Sequence, residues 1–316
     1  MLAAGRGSVT PTIGSLVMER PSPEDIARAA RALGVEPMAW RTVARGGQTA
    51  SSRWIAAPPD GSTRFVKIAF TLDTASWIRD EHLFYAQHRG LGFTPELLGW
   101  FDDGERPVLV LEDLTDATWP PPWDRAGVDA VLACLADVAS TTPSPELPPV
   151  GRSQFDRDGW REIASDPEPF LRLGLCEPAW LDDHLDAMVH AADRAVLEGD
   201  RLLHFDVRSD NICLSGDRAL LIDWNFACLG NPVADVAAWL PSLHAEGGPA
   251  PEEVLDPSHE VTCLAAMFAG YFASHAARPP IPEAPHVRPL QLMQARTAIA
   301  WASRALGLTE PRAVST

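Results

Sequence analysis

The hydrophobic positions of this chain of 316 residues follow two rhythms, and the change falls near residue 119. A helix opens the first part: Ser22 suits an N-cap, Pro23 fits the first helical position, Asp25 lies three residues past the cap, and Gly34 stops the run at Leu33. Strand-like runs follow at Trp40–Ala44, Arg53–Ala57 and Arg64–Phe70, with Pro58-Pro59-Asp60-Gly61 turning between the second and third. Residues 74–88 return to helical spacing, offering Trp77, His82 or Leu83, and Phe84 to one face. Two more strands are predicted at Glu96–Asp102 and Val108–Asp113, turning at Asp103-Gly104. Beyond the stiff linker Trp119-Pro120-Pro121-Pro122-Trp123, helical stretches dominate at 126–140, 177–197, 233–243, 258–276 and 289–306. A five-strand sheet with its helices, followed by a mostly helical part, predicts an α+β architecture of two lobes with a cleft between them. The expected division is a flexible tail over 1–17, a first lobe over 18–113, a hinge or linker over 114–124 and a second lobe over 125–316.

Composition narrows the partners. Hydrophobic residues make up 46% and charged residues 22%, ordinary for a globular enzyme. No apolar run is long enough to span a bilayer, and the N-terminus does not read as a signal peptide, so a cytoplasmic protein without a membrane partner is expected. The net charge of -17 repels phosphate backbones, which argues against nucleic acid and favours a cationic ligand. The widely spaced cysteines Cys134, Cys176, Cys213, Cys228 and Cys263 form no metal-binding or disulfide pattern. Of 26 basic residues only Lys67 is lysine, and Asn211, Asn225 and Asn231 are the whole supply of asparagine.

The chemistry concentrates in Leu202–Leu240. His204-x-Asp206-x-x-x-x-Asn211 precedes a predicted hairpin, Ile212–Leu214 turning at Ser215-Gly216-Asp217 into Ala219–Ile222, which delivers Asp223. Asn211 and Asp223 offer oxygen ligands of the kind magnesium takes, leaving Asp206 to orient a hydroxyl and accept its proton. This segment resembles the catalytic and metal-binding loops of the aminoglycoside phosphotransferase family, relatives of the protein kinases. Ile222-Asp223-Trp224, Gly230 and Asp235-Val236-Ala237 match its pattern in order. The resemblance implies a bilobal protein-kinase-like fold, ATP and magnesium as cofactors, and a structural role for Asp235. His204 reads as a packed structural residue.

The N-terminal part supplies matching pieces. A kinase-type site needs a cation on the ATP phosphates, aimed by a helix carboxylate. Lys67 lies in the third predicted strand, and Glu81, with Asp80 as competitor, is its expected partner. Gly46, Gly47 and Ser51, between the first two strands, are expected to cover the phosphates. In Val110–Leu114, Glu112 and Leu114 are expected to present backbone to the adenine, and Arg208 is a candidate for the γ-phosphate.

Few residues separate Asp223 from the Gly230–Asp235 element and no A-P-E sequence follows, which favours a small-molecule hydroxyl acceptor over a protein. A cationic, antibiotic-like acceptor is expected, with Asp156, Asp158, Asp182, Asp183, Asp186, Glu252 and Glu253 as candidate contacts. A small metabolite such as choline or homoserine is the alternative, and a catalytically silent nucleotide-binding protein a further one.

Overall fold

The computed structural model describes residues 20–43, 51–152, 155, 157–282 and 284–313. Gly46, Gly47, Asp156 and the expected tail lie outside the described residues. Helix α1 (Pro23–Leu33) is capped as its sequence dictates: Ser22 Oγ accepts from the Asp25 N–H at 3.1 Å, and Gly34 leaves the helix at φ 72°. Strands β1 (Ala39–Thr42), β2 (Ser51–Ala57) and β3 (Arg64–Ala69) lead into α2 (Leu72–Gln87), then β4 (Leu97–Phe101) and β5 (Val108–Glu112). The five strands form one antiparallel sheet in the order β1-β2-β3-β5-β4.

Alternation along β3 divides the labour of the sheet. Val66 and Ile68 pack with Ala29, Ala56, Val108 and Val110 under α1, so the intervening Lys67 points to the opposite face. Helix α2 begins two residues earlier than its sequence spacing suggests, because Thr71 caps it by accepting from the Thr74 N–H.

The remainder is mainly helical: α3 (Arg125–Ser140), α4 (Gly159–Ser165), α5 (Glu168–Leu171), α6 (Pro178–Ala192), β6 (Arg201–Leu203), β7 (Ile212–Ser215), β8 (Arg218–Leu221), β9 (Cys228–Gly230), α7 (Pro232–Ala245), α8 (Pro251–Val254), α9 (His259–Ala276) and α10 (Val287–Ala305). Helix α9 is buried along nearly its whole length, packed against α4, α6, α7 and α10. The helix expected over 177–197 stops at Ala192. The chain beyond it runs against β9, where a side chain on Gly199 would meet the Gly230 carbonyl at 2.3 Å. Strands β6 and β9 and helices α4, α5 and α8 escape a periodicity argument because each spans at most two helical turns or three strand residues. The segment expected as a hinge or stiff linker is joined to β7: Thr118 and Leu214 exchange backbone hydrogen bonds of 2.9 and 2.7 Å. All five cysteines are free and buried. Among the described residues no helix is long and apolar enough to cross a membrane.

Candidate active site

Hairpin β7–β8 and strand pair β6–β9 set the geometry of the site. Asp235, in the first turn of α7, accepts from the backbone N–H groups of His204 and Phe205, both at 2.8 Å. Those two bonds hold the bend after β6, where Phe205 takes φ 60°, a conformation that costs a bulky side chain energy unless its surroundings enforce it. His204 donates from Nε2 to the Ile222 carbonyl at 2.8 Å and accepts from the Asp206 N–H on Nδ1 at 3.2 Å. Burial depresses its pKa to about 4, so it is a neutral brace between the two segments.

Asp206 is thereby aimed into the cleft. Asn211, in the short 3-10 turn Ser209–Asn211, donates from Nδ2 to the Asp206 carbonyl at 2.9 Å and to its carboxylate at 3.0 Å. Burial raises Asp206 to about 6, with Arg208 opposing the shift. The Arg208 guanidinium forks onto Asp210 at 3.0 Å through two nitrogens and stands 3.3 Å from Asp206. Arg208, the candidate for the γ-phosphate, has its donors engaged by two neighbouring carboxylates. Burial would lower its pKa, but Asp206 and Asp210 more than reverse that and raise it.

Asp223 follows β8 in a left-handed conformation, φ 68°, which a short polar side chain tolerates. It pairs with Lys67, which also donates to Glu81 at 2.7 Å. Glu81, rather than Asp80, is therefore the partner that α2 supplies. Burial acts to lower the Lys67 pKa, yet Asp223 and Glu81 together raise it. Burial acts to raise Asp223, and Lys67 brings it down to about 2. The ammonium and the Asp223 carboxylate are both ionised at neutral pH.

Two cavities meet at this ion pair. The first, of 260 Å³, lies between the sheet and the segment after β5. Glu112 and Leu114 line it, together with Lys67, Glu81 and the apolar Ile55, Phe65 and Ile222. Sequence reasoning missed Arg41 and Arg53 there; Arg41 reaches Thr115 Oγ1 at 3.2 Å, and Arg53 is the cross-strand neighbour of Lys67. The second cavity, of 620 Å³, contains Asp206, Arg208 and Ser51, whose buried Oγ has no partner. Both cavities share Lys67 and Asp223. Much of the second wall comes from Trp77, Phe226, Tyr271 and Phe272, which in the sequence are indistinguishable from core positions.

A divalent cation fits the donor set. The buried Oδ1 of Asn211 has no hydrogen-bond partner, and hard cations take such amide oxygens together with carboxylates. The described acidic residues among those expected around an acceptor lie elsewhere. Asp158, Asp182, Asp183, Asp186 and Glu253 are exposed, Glu252 pairs with Arg304 at 2.7 Å, and none of them lines either cavity.

Among solved structures, the fold is similar to a thermostable mutant of aminoglycoside phosphotransferase APH(4)-Ia in ternary complex with ADP and hygromycin B. That match has 16% identity and a TM-score of 0.53, covering 87% of this chain and 94% of that one. It is also similar to an aminoglycoside phosphotransferase from Alicyclobacillus acidocaldarius, with 14% identity and a TM-score of 0.54, covering 93% and 98% of the two chains. A putative fructosamine-3-kinase from Thermobifida fusca matches with 22% identity and a TM-score of 0.52, covering 86% and 97%. These likenesses concern the fold, which is the protein-kinase-like one. Comparison with curated proteins finds no match. The sequence profile of the phosphotransferase enzyme family, APH, matches residues 40–267, more than half of the chain, and the protein therefore belongs to that family.

Proposed function

We propose that this phosphotransferase moves the γ-phosphoryl group of ATP to a hydroxyl of a small molecule. The observation that carries the reading is that two cavities adjoin at Lys67 and Asp223, with Asp206 facing only the second. A nucleotide in the first cavity would lay its base between the apolar side chains and the backbone of Glu112 and Leu114, with its phosphates toward Lys67. Gly46 and Gly47 would cover those phosphates. Residues 18–113 then act as the nucleotide-binding lobe, 114–124 as the hinge, and 125–316 as the lobe that holds the acceptor.

Asn211 and Asp223 would hold magnesium, which supplies charge neutralisation at the phosphates. Asp206 orients the acceptor hydroxyl and takes its proton as the acceptor oxygen bonds to phosphorus and the bond to ADP breaks. Arg208 keeps Asp206 ionised. Fixed placement of both reactants does most of the work. The reaction needs no bound protein or nucleic acid, and a cytoplasmic location would suit its use of ATP.

The acceptor expected from overall charge, a cationic antibiotic-like molecule, would need carboxylates around the second cavity, and the candidate acidic residues among the described ones do not line it. A metabolite as small as choline or homoserine would leave most of 620 Å³ unfilled. ADP release measured by enzyme coupling over a panel of hydroxylated compounds tests the reading. Asp206→Ala should abolish release while fluorescent ATP still binds, whereas Asp223→Ala should lose magnesium-dependent nucleotide binding. Near-normal turnover by Asp206→Ala would overturn the assignment.

A further inference from the structure

The geometry points to a bulky, uncharged and largely apolar alcohol as the acceptor. The inference rests on the phosphotransfer reading, since only that reading makes the second cavity an acceptor site. At 620 Å³ the cavity falls within the roughly 300–1,000 Å³ of sites for drug-sized ligands. The part of its wall away from Asp206 and Asp223 is rich in aromatic and aliphatic side chains: Trp77 from α2, Phe155, Phe226 three residues past Asp223, Tyr271 and Phe272 from α9, and Leu290 from α10.

The charges in that wall are already committed. Lys67 pairs with Glu81 and Asp223, and Arg208 with Asp206 and Asp210. Among the described residues one further carboxylate lines the cavity, Asp73, and it is exposed in the first turn of α2. A polycation entering here would give up water around several ammonium groups and find, among the described residues, a single exposed carboxylate not already paired.

The other polar residues of the described lining are neutral: Ser51, Thr71, Thr74, Asn225, Gln291 and Gln294. Gln294 is buried and donates from Nε2 to Ser242 Oγ at 2.9 Å, while Gln291 accepts from Arg288 at 2.7 Å. Two such amides suffice to orient an alcohol without demanding charge from it.

Nile red, a neutral apolar dye, and spermine, a polycation, distinguish the two acceptor chemistries by binding alone. Nile red should bind the protein saturably in the presence of MgADP, and a neutral hydroxysteroid should displace it, whereas spermine should not. Leu290→Glu, at a half-buried position, should weaken dye binding tenfold or more, with fluorescent ATP as the check that the fold persists. A companion variant, Ala238→Leu, narrows the same cavity without charge and should also weaken the dye. Displacement of the dye by spermine, absence of dye binding, or indifference to both variants overturns the inference. Failure of fluorescent ATP to bind the unaltered protein with magnesium would instead undo the phosphotransfer reading beneath it.

Discussion

The ring of Phe84 lies flat on the indole of Trp224, with centroids 4.0 Å apart and planes 3° from parallel. Phe84 sits one turn beyond Glu81 on α2, and Trp224 directly follows Asp223. The two carboxylates that hold Lys67 are thus backed by one stacked aromatic pair, which His204 and Phe93 close from the sides. Both rings are buried, and the indole N–H is satisfied by the Leu221 carbonyl at 2.9 Å. Helix α2 cannot shift without moving the packing behind Asp223.

Truncating this pair should therefore cost stability and nucleotide affinity together. Phe84→Ala removes a fully buried ring and should destabilise the fold by about 3–5 kcal/mol in urea unfolding. Phe84→Leu keeps most of the volume, should cost about 1 kcal/mol, and should still weaken magnesium-dependent ATP binding as Glu81 loses its fixed place. Equal ATP affinity in Phe84→Leu and the parent would show that the stack is only core.

Asp206 gives a pH signature with two faces. With its carboxyl raised to about 6, kcat/KM for the acceptor should fall about tenfold per unit as pH drops below 6. Bound magnesium should move that limb to lower pH in kcat. For stability the sign is opposite to that of an ordinary salt-bridged aspartate. The folded pKa lies above the unfolded value, so the native state holds the proton more tightly, and stability is lost as pH rises from about 4 to 6. Asp206→Asn should accordingly abolish turnover while stabilising the fold at pH 8 by up to about 3 kcal/mol, with little gain at pH 4. Urea unfolding at the two pH values checks it, and an equal effect at both would contradict it.

The parts of this site legible in the sequence are those whose chemistry forces a residue type at a spacing. Lys67 stands out as the lone lysine on an alternating strand, and Asp206, Asn211 and Asp223 as oxygen donors around a predicted hairpin, and the fold brings them together. Glu81, expected over its neighbour Asp80, is fixed as the partner by the register of α2 against β3. The partners of Arg208 were hidden because a guanidinium's choice among Asp206, Asp210 and a phosphate depends on side-chain reach, which sequence spacing does not encode. The acceptor wall was hidden for another reason. Tyr271, Phe272 and Leu290 carry the same apolar periodicity whether they face a core or a cavity, and the net charge of -17 reports the outer surface.

Asp235 should prove structural in a measurable way. Its two oxygens satisfy the N–H groups of His204 and Phe205, both otherwise buried. Asp235→Ala leaves two unpaired donors, at about 1–3 kcal/mol each, and frees the strained backbone of Phe205. We expect a thermal unfolding midpoint several degrees lower and a fall in kcat, because the bend that aims Asp206 is no longer held. An unchanged midpoint would mean that other groups fix the bend.

Arg208 offers the sharpest discrimination, because its two possible roles move different parts of one curve. Paired with Asp206 at 3.3 Å, it lowers the pKa of a carboxyl that burial raises. Replacing it by glutamine removes that opposition, so the acid limb of kcat/KM should shift to pH values above 6. Above the shifted limb the rate should recover much of its plateau, since Asp206 can still ionise. Arg208→Lys retains a charge near Asp206 but loses the two-pronged grip on Asp210, and should shift the limb less. Direct contact with the transferring phosphoryl group predicts something else: a plateau lowered by orders of magnitude with the limb unmoved. A pH–rate profile of the parent and both variants at fixed ionic strength separates the outcomes, and a collapsed plateau with an unshifted limb would remove Arg208 from the role of holding Asp206 ionised.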